Sequence, residues 1–302
     1  MALPNNVHLI DVGPRDGLQN EQQTIATAIK IELVNRLVQA GLKKVEAAAF
    51  VSPKWVPQMA DASQVLKGIK RQPGLSFSAL VPNMQGLEAA LAAGVDEVVI
   101  FGAASETFSQ KNINCSIAQS IERFAPVARA TLQHGLKLRA AVSCALGCPY
   151  EGEVLLSNVL SVIQRLSDLG VQCIGISDTI GVGTPDQTKR LMQAAAKIVG
   201  IEALSGHFHD TYGMAVANVY ASLQIGVSTF ESSVGGLGGC PYAKGATGNV
   251  ATEDIVYLLE GLGISTGVSL ALLSQTGAWI SEQCGRPYGA RAGRALLAKT
   301  KP

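Results

Sequence analysis

The sequence predicts an α/β fold, a (β/α)8 TIM barrel with a helical extension at its C-terminal end. Short apolar runs rich in β-branched residues alternate with longer amphipathic stretches along most of the 302 residues. Eight such runs occur, and eight strands that alternate with helices are typical of this barrel. Polar residues stand at the ends of several runs, where the strands of a barrel would form a common mouth.

The individual elements follow from length and periodicity. Short β-branched runs predict strands at residues 7–12, 44–48, 76–80, 97–101, 137–143, 172–177, 203–209 and 228–234. Amphipathic periodicity predicts helices at residues 24–40, 85–93, 116–133, 153–169, 185–199, 213–225 and 252–260. Glycines just beyond six of these helices are typical of helix ends: Gly41, Gly94, Gly135, Gly170, Gly200 and Gly226.

A doubly wound open sheet has the same local rhythm, so periodicity alone does not choose between the two folds. The polar residues favour the barrel, because side chains from many strand ends meet at one mouth only if the sheet closes. The residues concerned are Asp11, Arg15, Asp16, Glu46, Ser143, Cys144, Asp178, His207, His209 and Asp210. We expect one domain over residues 1–302, with the barrel at about 7–262 and a helical cap at 263–302.

Composition narrows the classes of function. Hydrophobic residues make up 47% of the chain and charged residues 16%, which suits a large core and not a disordered protein. The chain has 24 Lys and Arg residues and 23 Asp and Glu residues. Because these charges nearly cancel, the chain lacks the excess positive charge that attracts nucleic acid or an anionic membrane. The first predicted strand begins at residue 7, and no apolar run is long enough to span a bilayer. We expect a cytoplasmic protein whose six cysteines are reduced.

The strongest site signal is a pair of histidines, His207 and His209, in a predicted strand. Residues two apart on a strand share a face and lie about 7 Å apart, a distance that one metal ion can span. Packing is a weaker explanation, because each buried imidazole needs partners for two ring nitrogens. Two structural histidines with satisfied nitrogens are the alternative.

The turn after the first strand places Arg15 beside Asp16. Asp16 would be a suitable third ligand at the barrel mouth, although the pair could also be a salt bridge on a surface loop. Two imidazoles and a carboxylate, without a thiolate, favour Mg²⁺ or Mn²⁺ and are also compatible with Zn²⁺ or Co²⁺.

A glycine-rich segment follows the last strand, at residues 235–249, and its spacing matches neither a P-loop nor a dinucleotide-binding loop. Its backbone could approach a ligand closely or close over the site. Cys240 could carry a proton there, or be an incidental thiol, and Asn249 could supply a neutral oxygen to the metal.

Eight segments, taken together and in this order, resemble the 3-hydroxy-3-methylglutaryl-CoA lyases of the DRE-TIM metallolyase superfamily. They are GPRDGLQNE (13–21), FVSPKWVPQM (50–59), KNINCS (111–116), SCALGCPYEG (143–152), DTIGVGTP (178–185), HFHDTYG (207–213), GLGGCPYA (236–243) and GNVATED (248–254). The resemblance extends from about residue 8 to residue 267. It implies a metal-dependent barrel that cleaves (S)-3-hydroxy-3-methylglutaryl-CoA to acetyl-CoA and acetoacetate, a step of leucine degradation and ketone body formation.

The resemblance also implies roles for individual residues. The metal ligands would be Asp16, His207, His209 and Asn249. Catalytic roles would fall to Arg15, Asp16, Glu46, Asp178, His207 and Cys240. Members of the family are commonly dimers, so a homodimer is expected. Three residues at the predicted mouth, Lys54, Lys111 and Asn112, could bind CoA phosphates or be solvated surface residues.

Two departures from the family pattern bear on the substrate. Alanines occupy positions 47–49, where the family usually carries small hydroxyl residues, and Asp11 stands where it commonly has Glu. A related lyase acting on a longer 3-hydroxy-3-alkylglutaryl-CoA is therefore an alternative, because loss of hydroxyls changes both polarity and space in a pocket. A Claisen-type acyltransferase of the same superfamily and a non-catalytic metal-binding barrel are less favoured.

Overall fold

The computed structural model describes residues 2–239 and 248–300. Eight parallel strands close into a barrel in chain order, because the last strand pairs with the first. The strands are β1 His8–Asp11, β2 Lys44–Ala49, β3 Ser76–Leu80, β4 Glu97–Ala103, β5 Lys137–Ser143, β6 Cys173–Asp178, β7 Leu204–Phe208 and β8 Thr229–Ser232. The predicted TIM barrel is thus confirmed.

Helices surround the barrel in the described part of the chain. They are α1 Thr27–Gln39, α2 Ala62–Gly68, α3 Met84–Ala92, α4 Glu106–Ile113, α5 Ile117–Gln133, α6 Leu156–Asp168, α7 Pro185–Val199, α8 Ala215–Leu223, α9 Thr252–Gly261, α10 Leu270–Gln283 and α11 Arg291–Thr300. All seven helices predicted from periodicity are present. The six glycines predicted at their ends all have positive φ, and at Gly41 a Cβ would lie 2.2 Å from the carbonyl oxygen of Gly267.

The structure differs from the predicted elements in two ways. Helices α2 and α4 were not predicted, because α2 has only seven residues and α4 is largely polar, so neither shows a clear apolar period. Strand β7 ends at Phe208, one residue before His209. His209 instead forms an isolated antiparallel bridge with Asn249, so the end of β7 and the segment after β8 are joined at the mouth.

The core has two parts of different character. Apolar side chains of the strands and helices fill the layer between the barrel and the helices, as at Leu33, Val34 and Leu37 of α1. The interior of the barrel is charged: Arg139 is 0% exposed and is surrounded by buried carboxylates. A charged interior requires partners for every group, and this network forms the floor of the mouth.

The C-terminal extension reaches back to the mouth. Helix α10 packs against α1 and α11, and the segment between α10 and α11 contacts loops of the barrel. Arg286 pairs with Glu21, 2.7 Å away, and Arg291 pairs with Asp210, the residue after His209. The extension, which we expected to form a helical cap, therefore contacts two of the loops that carry the candidate site residues.

The sequence predicted no membrane-spanning segment and reduced cysteines. No helix among the described residues combines the length and apolar character needed to cross a membrane. The described cysteines are free thiols: Cys115, Cys144, Cys148, Cys173 and Cys284. Cys144 and Cys148 pack in a small apolar cluster with Ala103 and Phe108.

Candidate active site

Three side chains gather at the mouth of the barrel: Asp16, His207 and His209. Each offers one ligand atom, and these atoms all lie within 4.8 Å of one another. Asp16 belongs to the turn Gly13–Gly17 after β1, His207 to the end of β7, and His209 to the segment after it. The two imidazole rings share a face, with centroids 5.6 Å apart, as the strand periodicity predicts.

The hydrogen bonds of the two histidines favour a metal over a purely structural role. His207 Nδ1 lies 3.0 Å from Glu231 Oε2, and its Nε2 lies 3.9 Å from Asp16 Oδ2. The buried Nδ1 of His209 has no hydrogen-bond partner among the residues that the structure describes. Burying such a nitrogen unpaired is costly. The unpaired nitrogen and the mixed nitrogen and oxygen donors fit a divalent cation.

Asn249 reaches the same place from the other side of the glycine-rich segment. Its Nδ2 donates to Asp16 Oδ2 over 2.8 Å and to the carbonyl oxygen of Leu237 over 3.3 Å. The bridge to His209 fixes the backbone at this point. Asn249 therefore lies beside the cluster, where it was predicted to be a ligand.

Arg15 is buried and held between two carboxylates. Its Nη1 donates to Asp16 Oδ1 over 2.7 Å, and its Nε donates to Glu46 Oε1. Because Arg15 is only 8% exposed, the alternative of a surface salt bridge does not apply. The guanidinium lies directly against the candidate metal cluster, since Asp16 contacts Arg15 and is also a member of that cluster.

Glu46 and Asp178, both predicted as catalytic acids, are each 0% exposed and bound to protein groups. Glu46 accepts hydrogen bonds from Arg15 and from Arg139, so it orients the guanidinium of Arg15. Asp178 accepts from the backbone N–H groups of Val182 and Gly183, at 3.1 and 2.8 Å, and so holds the loop after β6. Burial raises the pKa of the Asp178 carboxyl.

The charges of the cluster shift its pKa values in different directions. Burial would raise the pKa of Asp16, but the charges of Arg15 and His207 outweigh it and hold that pKa at about 2. Burial would lower the pKa of His207, but the hydrogen bond and charge of Glu231 outweigh burial and raise it. Burial and the neighbouring His207 lower the pKa of His209 to about 4. At neutral pH Asp16 is an anion and His209 a neutral imidazole, which are the forms that bind cations.

A pair of buried carboxyls lies behind the turn that carries Asp16. Asp11 accepts from the backbone N–H groups of Gly13 and Val234, at 2.8 and 2.9 Å, and so ties the end of β1 to the segment after β8. Glu253 accepts from the N–H of Gly235 and from the hydroxyl of Tyr288. Burial raises the pKa of Asp11 to about 7 and that of Glu253 to about 8.

Sequence analysis missed the residues that support the cluster from below, notably Arg139 and Glu231. A signal was present: each is a charged residue in a strand predicted to be buried, where a charge has no role in apolar packing. Their partners could not be identified, because Arg139 and Glu231 are 92 residues apart in the chain.

Lys54, Lys111 and Asn112, also predicted as site residues, are not members of the cluster formed by the described residues. Lys54 and Asn112 are exposed, and Lys111 Nζ lies 4.0 Å from the centre of the Tyr150 ring. The three alanines at positions 47–49 are all buried at the end of β2. Cys240, the predicted proton carrier, lies outside the described residues.

Comparison with known proteins gives consistent matches over almost the whole chain. The model of the HMGL-like family matches residues 6–280. A Pseudomonas aeruginosa 3-hydroxy-3-isohexenylglutaryl-CoA/hydroxy-methylglutaryl-CoA lyase is 56% identical over 299 residues, covering 99% of this chain and 100% of the relative. The hydroxymethylglutaryl-CoA lyase of Pseudomonas mevalonii is 54% identical over 294 residues, covering 97% and 98%.

Comparison with solved structures gives the same family. The crystal structure of the hydroxymethylglutaryl-CoA lyase from Pseudomonas aeruginosa superposes with a TM-score of 0.97 at 56% identity, covering 99% of this chain and 100% of that one.

Proposed function

Because the chain belongs to the HMGL-like family, we propose that it cleaves (S)-3-hydroxy-3-methylglutaryl-CoA to acetyl-CoA and acetoacetate. It is a carbon–carbon lyase with an acyl-CoA substrate, as its relatives at 54–56% identity are. The observation that carries the proposal is the contact between the buried Arg15 and the Asp16, His207 and His209 cluster at the barrel mouth.

This reaction makes two electrostatic demands on a site. The 3-hydroxyl must lose its proton, and the leaving fragment departs as an enolate whose thioester oxygen gains negative charge. Arg15 can stabilise that oxygen, because its guanidinium is already oriented by Asp16 and Glu46 and needs no reorganisation during the reaction. A bound divalent cation would supply Lewis acidity that makes the hydroxyl a stronger acid.

The metal would be held by Asp16, His207, His209 and Asn249, and Mg²⁺ or Mn²⁺ suits such a donor set best. The low pKa of Asp16, about 2, makes it a better ligand than base at neutral pH. We propose that Cys240 moves the protons, because both ring nitrogens of His207 would be engaged by Glu231 and the metal, and that Glu46 and Asp178 act by orienting Arg15 and the loop after β6.

A longer 3-hydroxy-3-alkylglutaryl-CoA is the second candidate substrate. One observation favours it: the P. aeruginosa relative at 56% identity is named for an isohexenyl substrate as well as for the methyl one. The alanines at positions 47–49 are consistent with a less polar pocket.

Four further features belong to the same proposal. The chain would form one domain over residues 1–302 and assemble as a homodimer in the cytoplasm. Lys54, Lys111 and Asn112 would meet the phosphates of CoA, since all three are exposed and polar.

The test is release of acetoacetate from 3-hydroxy-3-methylglutaryl-CoA by purified protein with Mg²⁺ or Mn²⁺, and again with excess EDTA. We expect cleavage that EDTA abolishes. A parallel assay with the 3-isohexenyl analogue compares kcat/KM for the two substrates. Folded, metal-loaded protein that cleaves neither compound would contradict the proposal.

A further inference from the structure

A closed ring of charged side chains lies under the candidate metal cluster. From Arg139 on β5, one branch runs through Glu231 to His207. The other branch runs through Glu46 and Arg15 to Asp16. The two branches meet again where His207 Nε2 lies 3.9 Å from Asp16 Oδ2.

The two oxygens of Glu231 have different partners. Oε1 accepts from Arg139 Nη1 over 2.7 Å and from Ser205 Oγ over 3.0 Å. Oε2 faces His207 Nδ1 over 3.0 Å. The carboxylate is 2% exposed and forms a buried ion pair with Arg139, so it carries the negative charge of that pair. A carboxylate anion only accepts, so the proton of this hydrogen bond must belong to Nδ1.

The neighbouring strands are shaped to hold this carboxylate in place. His207 and Glu231 are register partners on β7 and β8, so both side chains point into the barrel at one level. On β6, Gly175 leaves the space that Oε1 occupies, since a Cβ at this position would lie 2.8 Å from it. Arg139, 0% exposed, fixes the other side through contacts to Glu46 and Glu97 as well.

We propose that Glu231, held by Arg139, is a positioning residue that keeps His207 in the Nδ1–H tautomer and directs the lone pair of Nε2 toward Asp16 and His209. A neutral imidazole binds a metal only through an unprotonated nitrogen, so the tautomer decides whether Nε2 is available. Loss of the carboxylate that holds a metal-binding histidine typically weakens metal affinity by about 10- to 100-fold. The consequence for metal rests on the proposed metal site, whereas the tautomer can be measured without metal.

Glu231→Gln is the sharpest test, because the surroundings fix which way the new amide must face. Arg139 and Ser205 both donate to the Oε1 side, so the amide oxygen stays there and the NH₂ group faces His207. An NH₂ group donates, and it can bond to Nδ1 only if Nδ1 carries no proton. The neutral ring must then carry its proton on Nε2, the atom that faces the cluster.

The tautomer is read from the ¹⁵N chemical shifts of the imidazoles in metal-free protein, at a pH high enough for His207 to be neutral. The chain has only four histidines, so a His207→Gln sample assigns the signals. We expect Nδ1–H in the wild type and Nε2–H in Glu231→Gln. A wild type with the proton on Nε2, or a variant that keeps it on Nδ1, would overturn the proposal.

The control is Glu97→Gln, which makes the same chemical change on another carboxylate of Arg139, 3.5 Å from its Nε and with no contact to His207. It should keep the wild-type tautomer and the wild-type affinity for Mn²⁺, measured by titration calorimetry. Glu231→Gln should weaken Mn²⁺ binding about 10- to 100-fold. Equal weakening in both variants would mean that loss of negative charge in the barrel, and not the hydrogen bond to His207, sets the affinity.

Gly175→Ala covers the case in which Glu231→Gln does not fold. It changes no charge but places a methyl group against Oε1, so it should displace the carboxylate and weaken Mn²⁺ binding. A variant that binds Mn²⁺ as the wild type does, with an unchanged tautomer, would contradict the proposed role of Glu231. Failure of the lyase assay alone, with the expected tautomers, would count against the proposed function and not against this inference.

Discussion

Replacing Arg15 by glutamine should reduce turnover severely while leaving the fold and the metal site in place. Glutamine keeps a polar side chain but loses the charge that would stabilise the thioester oxygen. Loss of one preoriented donor to a developing oxyanion costs about 3 to 4 kcal/mol of transition-state stabilisation, or a rate drop on the order of 10²- to 10³-fold. Because Arg15 is charged, we expect the upper end of that range.

The fold should survive, because both carboxylates that contact Arg15 keep another partner. Glu46 still accepts from Arg139, and Asp16 still accepts from Asn249 over 2.8 Å. Leaving one member of a buried ion pair entirely unpaired costs about 3–5 kcal/mol, so the loss of unfolding free energy in this variant should stay below that range.

Metal binding should also survive at neutral pH. The charge of Arg15 is the main influence that lowers the pKa of Asp16 to about 2 against the effect of burial. Without Arg15 that pKa rises, yet a carboxyl in contact with two histidines and Asn249 should remain ionised at neutral pH. As the pH falls, Asp16 of the variant takes up its proton sooner, so Mn²⁺ should be lost at a higher pH than in the wild type.

The assay compares kcat/KM for 3-hydroxy-3-methylglutaryl-CoA with the affinity for Mn²⁺ in the same preparations. The matched control is Arg190→Gln, because Arg190 is 67% exposed and its one ion pair within the described part of the chain is with Asp186, one helix turn away. The control should keep wild-type values of both quantities. If Arg15→Gln kept kcat/KM within a few-fold of the wild type, the assignment of Arg15 to the reacting oxygen would be wrong.

Three further predictions concern the metal, the C-terminal extension and pH. His209→Ala should bind Mn²⁺ far more weakly and lose nearly all turnover, so full activity in chelated buffer would refute the metal site. Tyr288→Phe removes the 2.8 Å hydrogen bond to the buried Glu253 and should lower the unfolding free energy by about 1–2 kcal/mol in urea titrations; an unchanged midpoint would show that the contact adds no stability. The pKa values of Asp11 and Glu253 are raised to about 7 and 8, so the folded protein binds protons more tightly than the unfolded chain does. Their contribution to stability is complete below their ordinary pKa values and is lost as the pH rises through 7 to 8. In urea unfolding at several pH values, the Asp11→Asn variant should lose less unfolding free energy over this rise in pH than the wild type does. Equal losses in the two proteins would show that the Asp11 carboxyl is not a source of the pH dependence.

Much of the fold could be read from the chain because its signals are local. The short run Lys137–Ser143 was predicted as a strand, and the same residues form β5 in the structure. Helix α7, Pro185–Val199, was also predicted with its observed bounds, from its amphipathic period and from Gly200 just beyond its end. The short α2 could not be predicted in this way, because seven residues hold too few apolar positions to show a period.

The candidate metal ligands were also accessible from the sequence. His207 and His209 are two residues apart in the predicted strand, so strand geometry predicts the shared face, and the rings do share it although β7 ends between them at Phe208. Asp16 and Asn249 were proposed from their places after the first strand and in the glycine-rich segment, the resemblance to a known family implied the same two residues, and the structure places both beside the histidines.

The sequence by itself therefore determined the fold class, the strand end at which the two histidines lie and the identity of the candidate ligands. Only the tertiary structure decided how those ligands are held. Arg139 meets Glu46 across 93 residues of chain and Glu231 across 92, and His207 meets Glu231 across 24. Such pairings have no local signature, because closure of the barrel brings the inward side chains of β2, β5, β7 and β8 to one level. The physical reason is that periodicity reports which face of a strand is buried, whereas the partner of a buried charge depends on the register of every strand between them.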